Sequence, residues 1–245
     1  MKLQALALAA LLNVGGAHAA TITQWNFNSV PADASTTTGS GVASVGTGST
    51  LLLSTVTSGF GSGSANGGSS DPVTTDDTGL QTTGYTAQGV GNKTAGVRFN
   101  VSTLGFQNIT LSYDLRHSNT SARHEQVQYS LDGLTFTDVA SFDGNAGDTW
   151  FNGRSVDLSS IAGANNNANF AFRVVSAFAP STSAYAAASS TGTYAGTGTW
   201  RFDMVTVSGT ALPVAPAVPE PESLALLVAG LMVVGLQAAR RRHAA

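Results

Sequence analysis

The sequence predicts an all-β protein, an antiparallel β-sandwich or jelly roll with long Gly/Ser/Thr loops. Three observations lead there. Apolar and polar residues alternate at period two in one segment after another, the pattern of a strand with one buried face. No stretch between residues 21 and 218 carries a helical stripe longer than one or two turns, and residues 158–162 offer one short turn at most. The segments are separated by turn-forming Gly, Ser, Thr and Asn, so their apolar faces must pack against one another in layers.

Along the chain, residues 22–27, 51–56 and 97–101 are the first strand candidates. Ile109, Leu111, Tyr113 and Leu115 then alternate with Thr110, Ser112, Asp114 and Arg116. Val127, Tyr129 and Leu131 alternate with Gln128, Ser130 and Asp132. Asp132-Gly133, lying between Leu131 and Leu134, predicts a hairpin because glycine accepts the positive φ of a tight turn. Residues 136–142 and 151–158 follow, then Phe170, Phe172 and Val174. Trp200, Phe202 and Met204 form the last alternating set, and Val205 and Val207 shift its phase, which predicts a bulge. Nine strands result, and residues 32–49, 57–80 and 179–199 are left as long loops.

Composition narrows the function. The 245 residues (24.8 kDa) fit one substantial domain plus targeting segments. Only 10% are charged, against about 25% in ordinary soluble domains. Ser and Thr supply 56 positions and Gly 28, so the surface is made of hydroxyls and bare backbone. A net charge of -3 and pI of 5.7 exclude a basic nucleic-acid footprint, so nucleic acid is not an expected partner. The absence of cysteine excludes disulfides, thiolate metal sites and a cysteine nucleophile.

Both ends read as addresses. In residues 1–20, Lys2 precedes an apolar run from Leu3 to Leu12, and Ala17 and Ala19 give small residues at the spacing signal peptidase accepts. Residues 21–209 are then the β-sandwich domain. Residues 210–222 are a Pro/Ala linker, extended and stiff. Residues 223–239, almost all Leu, Ala, Val and Gly, predict a transmembrane helix, and 240–245 a basic cytoplasmic tail held by Arg240, Arg241 and Arg242.

Pro219, Glu220 and Pro221, the apolar helix and the terminal arginines together resemble the PEP-CTERM sorting signal of Gram-negative bacteria. The resemblance implies an exosortase-type membrane protease as partner, export across the inner membrane with transient anchoring, and delivery to the cell surface or beyond. Gln24-Trp25-Asn26-Phe27-Asn28, Tyr129 to Gly133 and Gly198 to Val207 resemble segments of secreted proteins that carry this tail. Those bodies are jelly rolls of the carbohydrate-binding or lectin type, found alone or attached to hydrolases. That implies a non-catalytic surface or extracellular-matrix protein with extracellular polysaccharide as its ligand. The alternatives are a secreted carbohydrate-active enzyme and a purely structural matrix component.

Candidate site residues follow from chemistry. Trp25 and Trp200, inside strand patterns, read as core. Trp150, Tyr185 and Tyr194 lie in loop-like sequence and could stack on sugar rings. Asp132, Asp143 and Asp148, in or near turns, are candidate ligands for a metal, since loop oxygens suit calcium. No cofactor is otherwise called for. Asp114, His117, His124 and Glu125 are the one concentration of histidine and acid, at spacings that fit no standard metal motif and read better as solvated strand ends. No Gly-x-Ser-x-Gly elbow, His-Glu-x-x-His or phosphate-cradling loop occurs, so no catalytic residue is assigned.

Overall fold

The structure, a computed structural model, describes residues 18–73, 75–213 and 221–242. It divides into two units, one ending at Leu212 and one beginning at Pro213. The first is a two-sheet antiparallel sandwich. Its strands are β1 (Ala19–Trp25), β2 (Ser49–Leu53), β3 (Thr57–Ser62), β4 (Thr78–Thr83), β5 (Gly96–Asn100), β6 (Phe106–His117), β7 (His124–Ser130), β8 (Thr137–Asp143), β9 (Thr149–Asp157), β10 (Ala171–Ala177) and β11 (Trp200–Ala211). One sheet runs β3-β4-β11-β6-β9 with β1 also on β11, and the other runs β2-β5-β10-β7-β8.

The nine strands expected from periodicity are all present. Two more are found where a loop was expected over 57–80: β3 lies inside that stretch, and β4 begins in it and runs on to Thr83. Their sequences, TSGFGS and TGLQTT, hold one large apolar residue each, so they carry no period-two signal. Tertiary packing makes them strands. A Cβ on Gly61 would come within 2.6 Å of the Arg201 guanidinium, and one on Gly79 within 2.7 Å of the Arg201 stem. The glycines therefore let that side chain lie flat across the pair, where it donates to Ser62 O and Gln81 Oε1. Up to Ser49, where β2 begins, the stretch from residue 32 holds no strand, and neither does 179–199; each has only an isolated bridge, from Val45 and Ala187.

The expected bulge sits in β11. Asp203 pairs with Asp114 but Thr206 with Ser112, so one extra residue is inserted, and Met204 takes a positive φ of 47°. The phase shift lets Trp200, Phe202, Val205 and Val207 all face inward.

Aromatic rings from both sheets fill the interior. Phe99 stacks on Phe172 at 4.9 Å, Trp25 tilts against Phe99 at 5.3 Å, and Phe202 meets Phe99 edge-on at 6.1 Å. One polar group joins them. Glu125 of β7, 0% exposed, accepts from Tyr113 Oη (2.8 Å) on β6 and Arg154 Nη2 (3.2 Å) on β9, and faces His117 Nε2 at 2.9 Å. Because His117 Nδ1 faces the Ala122 carbonyl at 2.9 Å, that nitrogen must donate. His117 and Glu125 are thus a buried structural pair, not the solvated strand ends expected.

The second unit is one helix, α1 (Pro221–Arg242). Pro221 stands at its first position, where a missing N–H removes no helical bond. Leu226, Leu227, Leu231 and Val234 are exposed on it. Among the described residues no helix is long and apolar enough to cross a membrane, so the span expected over 223–239 is not supported here. The expected linker over 210–222 is shorter than its composition suggested: Thr210 and Ala211 pair within β11, and Pro221 and Glu222 open α1. The signal segment up to Ala17 and residues 214–220, with Pro219 and Glu220, lie outside the described residues.

Removing the Glu125 carboxylate leaves His117 and Arg154 without their buried counter-charge. Glu125→Ala is expected to lower unfolding stability by about 3–5 kcal/mol, read from urea denaturation. A loss below about 1 kcal/mol would show that the pair is not a tie between the sheets.

Candidate functional site

The outer face of the five-stranded sheet carries a row of side chains fixed by strand register. Leu51 of β2 pairs with Arg98 of β5, Arg98 with Arg173 of β10, Arg173 with Gln128 of β7, and Gln128 with Asp138 of β8. Period two puts all five on the face opposite Val97, Phe99, Phe172, Val174 and Val127, which are core. Its β10–β7–β8 part is hydrogen-bonded. Arg173 Nε donates to Gln128 Oε1 (2.5 Å) and Gln128 Nε2 to Asp138 Oδ1 (2.5 Å), while Lys93 pairs with Asp138 Oδ2.

Both guanidiniums lean on one ring, with Arg173 Cζ 4.2 Å and Arg98 Cζ 5.2 Å from the Phe136 centroid. Burial, and then the like charge of Arg98, lower the Arg173 pKa without discharging it. Among the described residues each arginine spends only Nε, on Gln128 and on Asn100 Oδ1 (2.6 Å), so the terminal nitrogens have no protein partner. Donors ordered in advance and left unpaired suit an oxygen-rich ligand.

At Arg98 the row opens into a groove of about 450 Å³ at one end of the sheet, lined by Thr47, Ser49, Arg98, Asn100, Asp132 and Asn169. Asp132 was expected at a metal. Here its Oδ1 closes the β7–β8 turn, accepting from Leu134 N (2.7 Å), Thr135 N (2.7 Å) and Ser130 Oγ (2.9 Å), with Gly133 at φ +72°. Those bonds, the Thr135 amide first, hold its carboxyl well below the usual range, so a charged acceptor remains on the groove wall.

The other expected ligands are not brought together. Asp143 forms a bidentate pair with Arg123 (2.5 and 2.7 Å), and Asp148 accepts from Arg116 (2.5 Å) and Asn119 (2.7 Å). A different set converges: one carboxylate oxygen each from Asp71, Asp77 and Asp203 lie within 4.8 Å of one another. Sequence gave no warning of it, because the three lie on one strand and in a loop that periodicity left blank.

The aromatic expectation is corrected. Trp150, Tyr185 and Tyr194 are only 8%, 3% and 8% exposed. Trp150 Nε1 donates to Ala65 O (2.8 Å). Tyr185 stacks on Tyr194 at 4.5 Å and meets Phe178 at 4.6 Å, and the Tyr194 hydroxyl donates to Thr86 O (2.6 Å). Trp150, a β9 residue, holds the segment after β3, and the two tyrosines pin their loop to the body, so none of the three offers a free face for stacking on a sugar. Trp25 and Trp200 are core at 0%.

No family model matches the sequence, and no curated protein matches it. Among solved structures, the chain is similar to the CBM22-1–GH10 modules of Clostridium thermocellum endo-1,4-β-D-xylanase 10B, with 14% identity and a TM-score of 0.41 over 70% of this chain and 27% of that one. It is similar to the CBM22-1 xylan-binding domain of Paenibacillus barcinonensis Xyn10C (13%, TM-score 0.41, 67% and 87% covered). It is also similar to the CBM22-1–CBM22-2 tandem of that protein (11%, TM-score 0.47, 84% and 53% covered). The chain thus spans about a quarter of the first of these. At such scores nothing about a ligand follows, and the site stands on its own geometry.

Burial, before its neighbours Asp77 and Asp71, pushes Asp203 up to about 9. A folded pKa above the unfolded value of 3.8 means that folding stability is full below about pH 4 and is lost as pH rises toward 9. In EDTA, the stability of Asp203→Asn relative to the parent is expected to increase from about pH 5 to about pH 8 in urea titrations. A flat or shrinking difference would refute the shift.

Proposed function

We propose that this chain is an exported, non-catalytic protein whose jelly-roll-like sandwich binds polysaccharide on the outer face of the five-stranded sheet. The observation that carries the reading is the row Arg98, Arg173, Gln128 and Asp138 running into the Asn100–Asp132–Asn169 groove. Planar amide, guanidinium and carboxylate groups at fixed spacing offer paired donors and acceptors to vicinal hydroxyls, and the two unspent guanidinium forks suit a sugar carboxylate. A single half-buried ring, Phe136, backs the arginines where the expected stacking aromatics are absent.

Charge placement supports the same face. Between residues 21 and 218 there are 7 Lys/Arg and 12 Asp/Glu, a net of -5, yet three of the cations, Lys93, Arg98 and Arg173, gather here. An anionic polymer can therefore approach this face although the domain as a whole is acidic. On glycan arrays the full chain is expected to bind, and Arg98→Ala and Arg173→Ala each to weaken binding more than about tenfold, the value of one lost charge-assisted hydrogen bond. Uniformly negative arrays would favour a purely structural matrix component, and release of soluble sugar from a bound polymer would favour an enzyme.

Export is the second part of the proposal. The Pro219-Glu220-Pro221 motif, the apolar helix and Arg240, Arg241 and Arg242 support sorting by an exosortase-type protease, after signal peptidase acts near Ala17 and Ala19. Cutting there is compatible with the sandwich: β1 begins at Ala19 opposite Thr210, so a mature start at Ala20 forfeits one pair at the strand's end. The intact mass of the exported protein is expected to match residues from about 20 to about 220, plus any modification. An unprocessed chain retained in the cytoplasm would refute this.

A further inference from the structure

The acidic residues on the opposite sheet form a second site, independent of the polysaccharide reading. Asp203 of β11 and Asp114 of β6 are register partners on the outer face of the six-stranded sheet, 0% and 1% exposed. Two carboxylates directly opposite in a sheet repel whenever both are ionised, and burial makes this worse. The segment between β3 and β4 folds over them. Its Ser70 N–H donates to Asp114 Oδ2 (2.6 Å) and its Ser69 hydroxyl to Asp203 Oδ2 (2.7 Å). The same segment adds Asp76 and Asp77, 4% and 3% exposed, and the half-buried Asp71.

Four buried carboxylates, Asp76, Asp77, Asp114 and Asp203, thus lie in one region with no ion pair to any of them among the described residues. Hydrogen bonds satisfy most of their oxygens, but not all. Asp77 Oδ2 accepts from Ser64 Oγ (2.9 Å), while Asp77 Oδ1 is buried with no partner. Room has been left for that carboxylate. A Cβ on Gly63 would lie 1.9 Å from Oδ1, so any larger residue there would have to displace the carboxylate. Arg201, the neighbouring cation, donates its terminal nitrogens to Ser62 O and Gln81 and makes no ion pair with these aspartates.

We infer that Asp71, Asp77 and Asp203 hold a calcium ion that ties the segment between β3 and β4 to the face of β11. One oxygen from each lies within 4.8 Å of the others, and ligands at 2.3–2.6 Å from one ion can stand up to about 5 Å apart. The donor set is oxygen only, which selects calcium, magnesium or manganese over zinc or copper. Calcium is favoured among these because two ligands come from a loop and one from a strand, an irregular frame that magnesium's strict octahedron does not suit. The cation would supply the positive charge that the buried carboxylates lack and a partner for the orphaned Asp77 oxygen.

The test uses the full chain, stripped with EDTA and dialysed, with calcium chloride as the probe. About one calcium per chain is expected by elemental analysis, with a rise in thermal midpoint of about 5–10 °C at saturation. Asp71→Asn and Asp203→Asn should each weaken calcium binding at least about tenfold in calorimetry, while Asp157→Asn, at the end of β9, leaves it unchanged. Asp71 is half-exposed, so its variant still reports if the Asp203 variant does not fold. No calcium uptake, or undiminished uptake in Asp71→Asn, would overturn the site. An equal rise with magnesium would overturn the choice of ion.

Discussion

A single carboxylate placed between two sheets sets much of this molecule. Glu125 is the one glutamate between residues 21 and 218, and it points inward among aromatic rings. Burying it is tolerable because Tyr113 and Arg154 reach it from the facing sheet and His117 stands against it, so the charge is never bare. Such a contact has one geometry. A slip of β7 by one residue would put Glu125 outside and Gln126 inside, with no partner for either. With Glu125 held in, Gln126 and Gln128 must face out. The position of Gln128 in the candidate binding row is therefore a consequence of an interaction on the other side of the strand.

With so few charged residues, where each one sits matters more than their sum. The five-stranded sheet shows arginines in register, stacked on Phe136 and hydrogen-bonded sideways into amide and carboxylate groups. The six-stranded sheet hides aspartates under a serine- and glycine-rich segment. The two outer faces thus offer different chemistry, one of exposed donors and the other of buried acceptors. Hydroxyls and bare backbone fill the surface between them, which keeps the rest of the sandwich weakly charged.

Glycine has an unusual part in this division. Where a glycine-rich stretch would ordinarily be read as a loop, Gly61 and Gly79 are strand residues stripped of side chains so that Arg201 can cover them, and Gly63 makes room for Asp77. These glycines are the reason β3 and β4 were invisible beforehand. A strand is recognised by its alternating side chains, and here the face is supplied by an arginine from β11, more than a hundred residues away in sequence. The same distance hid the metal candidates, since Asp203 meets Asp71 and Asp77 only once that hairpin docks.

The amino-acid sequence alone determined the sandwich class, nine of its strands, the Asp132-Gly133 turn and the bulge after Phe202, because each is a local pattern of period two or of backbone freedom. It also marked Trp25 and Trp200 as core. Only the tertiary structure decided which of the candidate stacking aromatics are covered, since whether Trp150 on β9, Tyr185 and Tyr194 face water depends on segments folded over them from elsewhere. It likewise decided that Asp143 and Asp148 pair with arginines, while Arg98, Arg173, Gln128 and Asp138 line up in a row. Register between strands is fixed by packing of their inner faces, and a site on the outer face is assembled by that register without leaving a trace along the chain.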